Sequence, residues 1–164
     1  MAISFGNIRV ERPLFMGPME GITDVPFRRM VRKHGCGVVV TPRMQAEGVL
    51  RARSQRIAEL TAMKAEEAPI GMQLCGSAAD VMAEAAQKAE QMGATFVDLN
   101  MGCPVKNVVN LGAGAALLKE PLLAGAITRK VKQSISIPLT VKIRAGWSDE
   151  DKNALEISKI LEEA

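Results

Sequence analysis

Short apolar runs alternate along the chain with stretches in which apolar residues recur every three or four positions. The runs at 14–16, 37–41, 70–74, 96–100 and 139–143 are each bounded by Gly, Pro or a polar residue, which predicts β-strands. Between them the spacing predicts helices over 26–34, 78–92 and 121–133. In the helix at 78–92, Val81, Met82, Ala85, Ala86, Ala89 and Met92 share one face, Ser77 with Asp80 reads as its start, and Gly93 as its stop. A last helix, opened by Ser148 with Asp151, carries Ala154, Ile157 and Leu161 on one side.

Strands alternating with helices through right-handed crossovers form a parallel sheet, either wound on both faces or closed into a barrel. The strand centres repeat about every 31 residues, and eight such units amount to the roughly 250 residues of a full barrel. Five are present, so the expected class is α/β with about five βα units. Spacing alone leaves open a small doubly wound sheet or part of a larger barrel. Neither a linker nor a low-complexity segment interrupts the pattern.

Composition narrows the function classes. The chain has 164 residues, 48% of them apolar, and a formal charge of +3, which fits a globular domain and excludes a disordered tail or a disulfide scaffold. No apolar stretch approaches the ~18 residues of a membrane span, and the first residues lack the pattern of a secretory signal, so a cytoplasmic location is expected. Cys36, Cys75 and Cys103 are far apart and His34 is the only histidine, so a metal site is not expected. The mild positive charge permits an RNA partner without demanding one. The basic groups Arg28, Arg29, Arg32, Lys33 and Arg51, Arg53, Arg56 read first as solvated faces.

Alternation along the strands adds chemistry. In the last three strands Met72, Leu74, Val97, Leu99, Val141 and Ile143 occupy the faces expected to meet helices. Gln73, Asp98, Asn100, Thr140, Lys142 and Arg144 fall on the opposite faces, with Gln73, Asn100 and Lys142 near the C-terminal strand ends. A lysine inside a sheet needs a counter-charge, either Asp98 or an anionic ligand. The segment DLNMGCPVK puts Cys103 in a Gly-Cys-Pro turn at the rim where barrel enzymes collect their reactive groups. Its thiol is either a small turn-filling group or, with no histidine after it to act as base, a proton donor. LGAGAALL lacks the Lys-Ser/Thr of a phosphate loop and reads as a close-packed turn or a substrate-facing loop.

Taken in order, GPMEGITDVPFRR, GMQLCGS, DLNMGCPVK, GAGAALL and LTVKIRAGW resemble the tRNA-dihydrouridine synthases, most closely their bacterial B-type branch. The resemblance implies a TIM (β/α)8 barrel that binds FMN and, with NADPH as reductant, reduces uridine in tRNA to 5,6-dihydrouridine. It implies that Pro18, Met19 and Glu20 line the flavin ring, that Gln73 reads the ring's polar edge and that the Lys142 ammonium faces it. Asn100 then lies between flavin and substrate, Cys103 is the general acid, and Arg144 contacts a phosphate of substrate or flavin.

Two positions depart from the family pattern: Arg43 stands where an acidic residue is usual, and Glu20 where a small residue is common. The strands that hold the FMN phosphate in the family, and its helical RNA-binding domain, have no counterpart here. The resemblance therefore implies the N-terminal part of the catalytic domain over residues 1–164, with weak or absent FMN binding and no turnover by this chain alone. An open sheet edge is expected to favour self-association. The other classes open to such a chain are a non-catalytic RNA-binding or assembly module and an FMN barrel acting on a free pyrimidine.

Overall fold

The computed structural model describes residues 2–51, 59 and 62–164. It opens with an antiparallel hairpin, β1 (Ile3–Phe5) and β2 (Ile8–Val10), that the strand pattern above did not include. The signal was present: Gly6-Asn7 between two β-rich triplets is a two-residue hairpin turn, and Gly6 has φ 54. Phe5 packs edge-on against Phe96, ring centroids 5.3 Å apart, and Val10, Val38 and Val40 complete the cluster.

A parallel sheet follows, made of β3 (Val39–Val40), β4 (Met44–Gln45), β5 (Ile70–Cys75), β6 (Phe96–Asn100) and β7 (Leu139–Lys142). Its order is β3-β5-β6-β7, with β4 also on β5, so β3 and β4 form one interrupted strand. The interruption follows from Pro42, which has no N–H for the ladder. There the Gln73 N–H donates to the Thr41 hydroxyl at 3.2 Å. The expected first strand at 14–16 is reduced to a parallel bridge between Phe15 and Val38, in which the Met16 N–H donates to the Val38 carbonyl. These five units, alternating with helices, form the arc of a partial barrel.

The described helices include α1 (Val25–Lys33), α2 (Ala46–Leu50), α3 (Ala79–Gln91), α4 (Lys106–Val109), α5 (Pro121–Ser134) and α6 (Ala154–Glu162). In α1 the Asp24 carboxylate accepts from the Phe27 N–H at 3.0 Å, a side-chain N-cap, and Pro26 fills the first turn. Two expected starts moved. Ala78, not Ser77, is the N-cap of α3, and the Ser77 hydroxyl donates to the Leu111 carbonyl at 2.7 Å. Ser148 accepts from the Asp151 N–H in a local turn, and α6 begins only at Ala154.

The core lies between the outer sheet face and the helices. Met72, Leu74, Val97, Leu99 and Met101 meet Ala85, Ala86 and Ala89 of α3 and Ile127 and Val131 of α5. Burying each large aliphatic side chain there contributes about 1.5–3 kcal/mol. Alanines on α3 let its axis approach the sheet closely.

The basic groups are not simply solvated. Arg28 is fully buried: its guanidinium donates to the Glu67 carboxylate at 2.7 Å and to the Thr23 and Ala62 carbonyls at 2.7 and 2.6 Å. Arg32 donates to the carbonyls of Cys36, Gly37 and Ala68. Each guanidinium fork satisfies main-chain acceptors that lack ladder partners between elements. Arg29 conforms to the expectation, as an exposed pair with Glu66. Arg51 is exposed, while Arg53 and Arg56 lie outside the described residues.

Candidate active site

Parallel register aligns the inward side chains. Gln73 pairs with Asp98, Asp98 with Thr140, and Asn100 with Lys142. These neighbours are then joined by side-chain hydrogen bonds. The Thr140 hydroxyl donates to Asp98 Oδ1 at 2.6 Å, and Gln73 Nε2 donates to Asp98 Oδ2 at 2.6 Å. Asn100 Nδ2 donates to Gln73 Oε1 at 2.8 Å, and Asn100 Oδ1 accepts from the Cys103 N–H at 2.9 Å and the Gly102 N–H at 3.3 Å. A continuous relay therefore runs from the floor of the sheet to the main chain of Cys103. Because each member is bonded on both sides, rotamer freedom is removed before any ligand arrives.

Cys103 is also held from its other side. Its carbonyl accepts from the Ala115 N–H at 2.9 Å. Gly114 adopts φ 60, and a Cβ there would stand 2.7 Å from the Cys103 carbonyl oxygen and 2.8 Å from a Val108 methyl. The GAG motif is thus a close-packed turn that buttresses the cysteine, one of the two readings its sequence allowed. Cys103 is half-buried and packs beside buried Cys75, Val108 and Ala113. Burial pushes the Cys75 thiol up, against the lowering influence of the nearby Arg43 guanidinium.

Of the two counter-charges expected for Lys142, Asp98 does not form the ion pair. Among the described residues no ion pair joins it to Asp98, and its side chain is exposed on the edge strand β7. Asp98 finds its partners in Thr140 and Gln73. Burial raises its carboxyl above the usual range, and those two hydrogen bonds together with the Lys142 charge act against the rise. An exposed ammonium keeps its hydration, so the desolvation argument that demanded a partner does not operate here.

Pro18, Met19 and Glu20 lie on the loop between the Phe15 bridge and α1, where the Thr23 hydroxyl donates to the Met19 carbonyl at 2.9 Å. The Glu20 carboxylate reaches Arg43 at 2.6 Å, a contact that sequence spacing did not reveal. Arg144 is exposed and stands apart from the relay, lining a cleft of about 340 Å³ with Ser148, Asp149 and Glu150. A separate cleft of about 730 Å³, rich in arginine, lies at the opposite ends of the strands, beside Gly37 and Pro69. His34 is the C-cap of α1 and takes no part in the relay.

The chain is similar in sequence to several known proteins. A probable tRNA-dihydrouridine synthase of Rhodobacter capsulatus is 40% identical over 164 residues, covering 100% of this chain and 51% of that protein. One of Rickettsia bellii is 39% identical over 160 residues, 98% of this chain and 49% of its own length. The tRNA-dihydrouridine synthase B of Pseudomonas syringae is 38% identical over 164 residues, 99% of this chain and 48% of its own length. The chain spans about half the length of the curated relatives it matches. The family model described as dihydrouridine synthase matches residues 15–164, nearly the whole chain, and the chain belongs to the dihydrouridine synthase family.

Proposed function

We propose that this chain is the N-terminal part of the catalytic barrel of a cytoplasmic tRNA-dihydrouridine synthase, which reduces uridine in tRNA with FMN as cofactor and NADPH as reductant. The observation that carries the reading is the relay Asp98–Gln73–Asn100, which fixes both a flavin-facing amide and the main chain of Cys103. The donor set fits the polar edge of a flavin. Gln73 is fully buried with one of its two amide hydrogens bound to Asp98, so the other would reach a ring acceptor only once the groups that cover it move aside. The Lys142 ammonium has no acceptor among the described residues and offers positive charge to the same edge.

When bound, FMN supplies a hydride to uracil C6. The chain's own task is to deliver a proton to C5, and Cys103 Sγ, on the turn after the strand end, is the group that would supply it. Asn100 orients the turn that carries the thiol, and Pro18, Met19 and Glu20 flank the ring. A uracil inside a stacked tRNA cannot reach such a rim, so the base enters flipped out. Arg144, exposed near the rim, is placed to meet a phosphate of substrate or flavin.

Two experiments test this. The chain is titrated with FMN, with Lys142→Ala as control; weak or absent binding and no turnover are expected of the chain by itself. It is then joined to the unmatched half of the Rhodobacter capsulatus relative and assayed for NADPH-dependent dihydrouridine in tRNA by nucleoside mass spectrometry. Turnover that Cys103→Ala abolishes is expected. Full turnover by Cys103→Ala, or reduction of free uracil or orotate in place of tRNA, would overturn the reading. RNA binding without flavin chemistry would make the chain an RNA-binding module instead.

A further inference from the structure

The flavin-facing loop is fastened at two places, once to helix α1 and once to the sheet. At its C-terminal end, Thr23 is buried, its hydroxyl caps the Met19 carbonyl, and its own carbonyl accepts from buried Arg28 at 2.7 Å. Nearer its tip, Glu20 holds Arg43 at 2.6 Å; the Glu20 carboxylate is 69% exposed, whereas the Arg43 side chain is only 13% exposed. Gly17 and Gly21 flank this tip with open space around both, so glycine packing does not anchor it.

Arg43 precedes β4, whose Met44 and Gln45 lie beside Leu74 and Cys75 of β5. Extending that register by one residue puts Arg43 beside Gln73. With its amide in the orientation that satisfies both ends, Gln45 accepts from Arg43 Nη1 at 3.1 Å and donates to the Cys75 carbonyl at 2.9 Å. The links Glu20–Arg43–Gln45–Cys75 thus tie the loop to the strand end that carries Gln73. Burial by itself would lower the Arg43 pKa, and the Glu20 carboxylate, helped by Cys75 and Cys103, turns this into a net rise.

We infer that Arg43 and Glu20 are a positioning pair: Arg43, fixed by Gln45 to the rim of the sheet, clamps Glu20 and thereby holds the loop of Pro18 and Met19 against the flavin-facing edge. The assignment rests on the flavin reading above, but the clamp itself is measurable without flavin. It also accounts for the two departures from the family pattern as one change. A cation at position 43 requires an anion within reach, and Glu20 supplies it.

The test is amide hydrogen exchange of the 164-residue chain at Met19, Ile22 and Thr23, whose N–H groups are bonded within the loop. Arg43→Ala and Glu20→Ala are each expected to speed exchange there about two- to fivefold, the range of a partly exposed ion pair. The charge exchange Glu20→Arg with Arg43→Glu should restore slow exchange, which a purely steric role of either side chain would not. Unchanged exchange in both single variants, or no recovery in the double variant, overturns the pair. In the fused protein the single variants should weaken FMN binding and the exchanged pair recover it. A loosened loop with unaltered FMN affinity overturns its role at the flavin edge. If the unsubstituted fused protein binds no FMN, the flavin reading fails and the exchange data alone decide the clamp.

Discussion

Gly114→Ala isolates the physical cost of the turn that supports Cys103. Gly114 has φ 60, in the left-handed region, where a Cβ costs about 1–2 kcal/mol. The added carbon would also lie 2.7 Å from the Cys103 carbonyl oxygen and 2.8 Å from Val108, both too close. Displacing packed neighbours costs a further ~1–3 kcal/mol, for a total of about 2–5 kcal/mol. Gly93→Ala is the matched control, because Gly93 has φ 94 but open space around it, and so carries only the conformational part. Urea unfolding of both variants, extrapolated linearly, gives the steric share as their difference. Relief of the clash would have to move the Cys103 carbonyl away from the Ala115 N–H, so Gly114→Ala should also change the rate at which iodoacetamide labels Cys103 in the native protein. Equal stability losses in the two variants would refute the close packing and with it the buttress.

Arg28→Met leaves the Glu67 carboxylate buried without its cation and should cost about 3–5 kcal/mol in urea unfolding; a loss under about 1 kcal/mol would show that the site readily admits water. Asp98 has a folded-state pKa raised by burial, so its contribution to stability falls as pH rises from its unfolded value of about 4 through the folded one. Asp98→Asn cannot ionise, and the wild-type chain should lose stability relative to it as pH rises through that interval; a difference constant with pH would contradict the assignment. Among the described residues β7 has no partner on its outer edge, and Leu139, Val141 and Ile143 line an open groove with Leu161. Self-association that grows with concentration in sedimentation is therefore expected, and a monomer at all concentrations would count against it.

Local pattern determined much of this protein. The periodicities gave away β5, β6 and β7, helices α1, α3 and α5 to within a residue or two, and the division of each strand into a helix-facing and an inward side. Those features depend on nearest neighbours and on one apolar face, both of which are written in consecutive residues. Gln73, Asn100 and Lys142 were legible for the same reason, being polar residues at positions of fixed parity. Cys103 was legible because a Gly-Cys-Pro turn after a strand has few places to be.

Tertiary structure decided what those residues touch. Asp98 was one of the two counter-charges open to Lys142, yet register set it between Thr140 and Gln73, and hydrogen bonds at 2.6 Å took the place of that ion pair. Arg28 looks like any helix-surface arginine until Glu67, 39 positions away, is brought against it. The same holds for Glu20 with Arg43 and for Gly114 under Cys103, whose partners are selected by how strands and loops stack. Ser77 does not accept from the helix as a cap would; its hydroxyl instead donates to the Leu111 carbonyl that the fold brings beside it. Pairings of this kind arise from the packing of distant segments, and no short-range pattern along the chain encodes them.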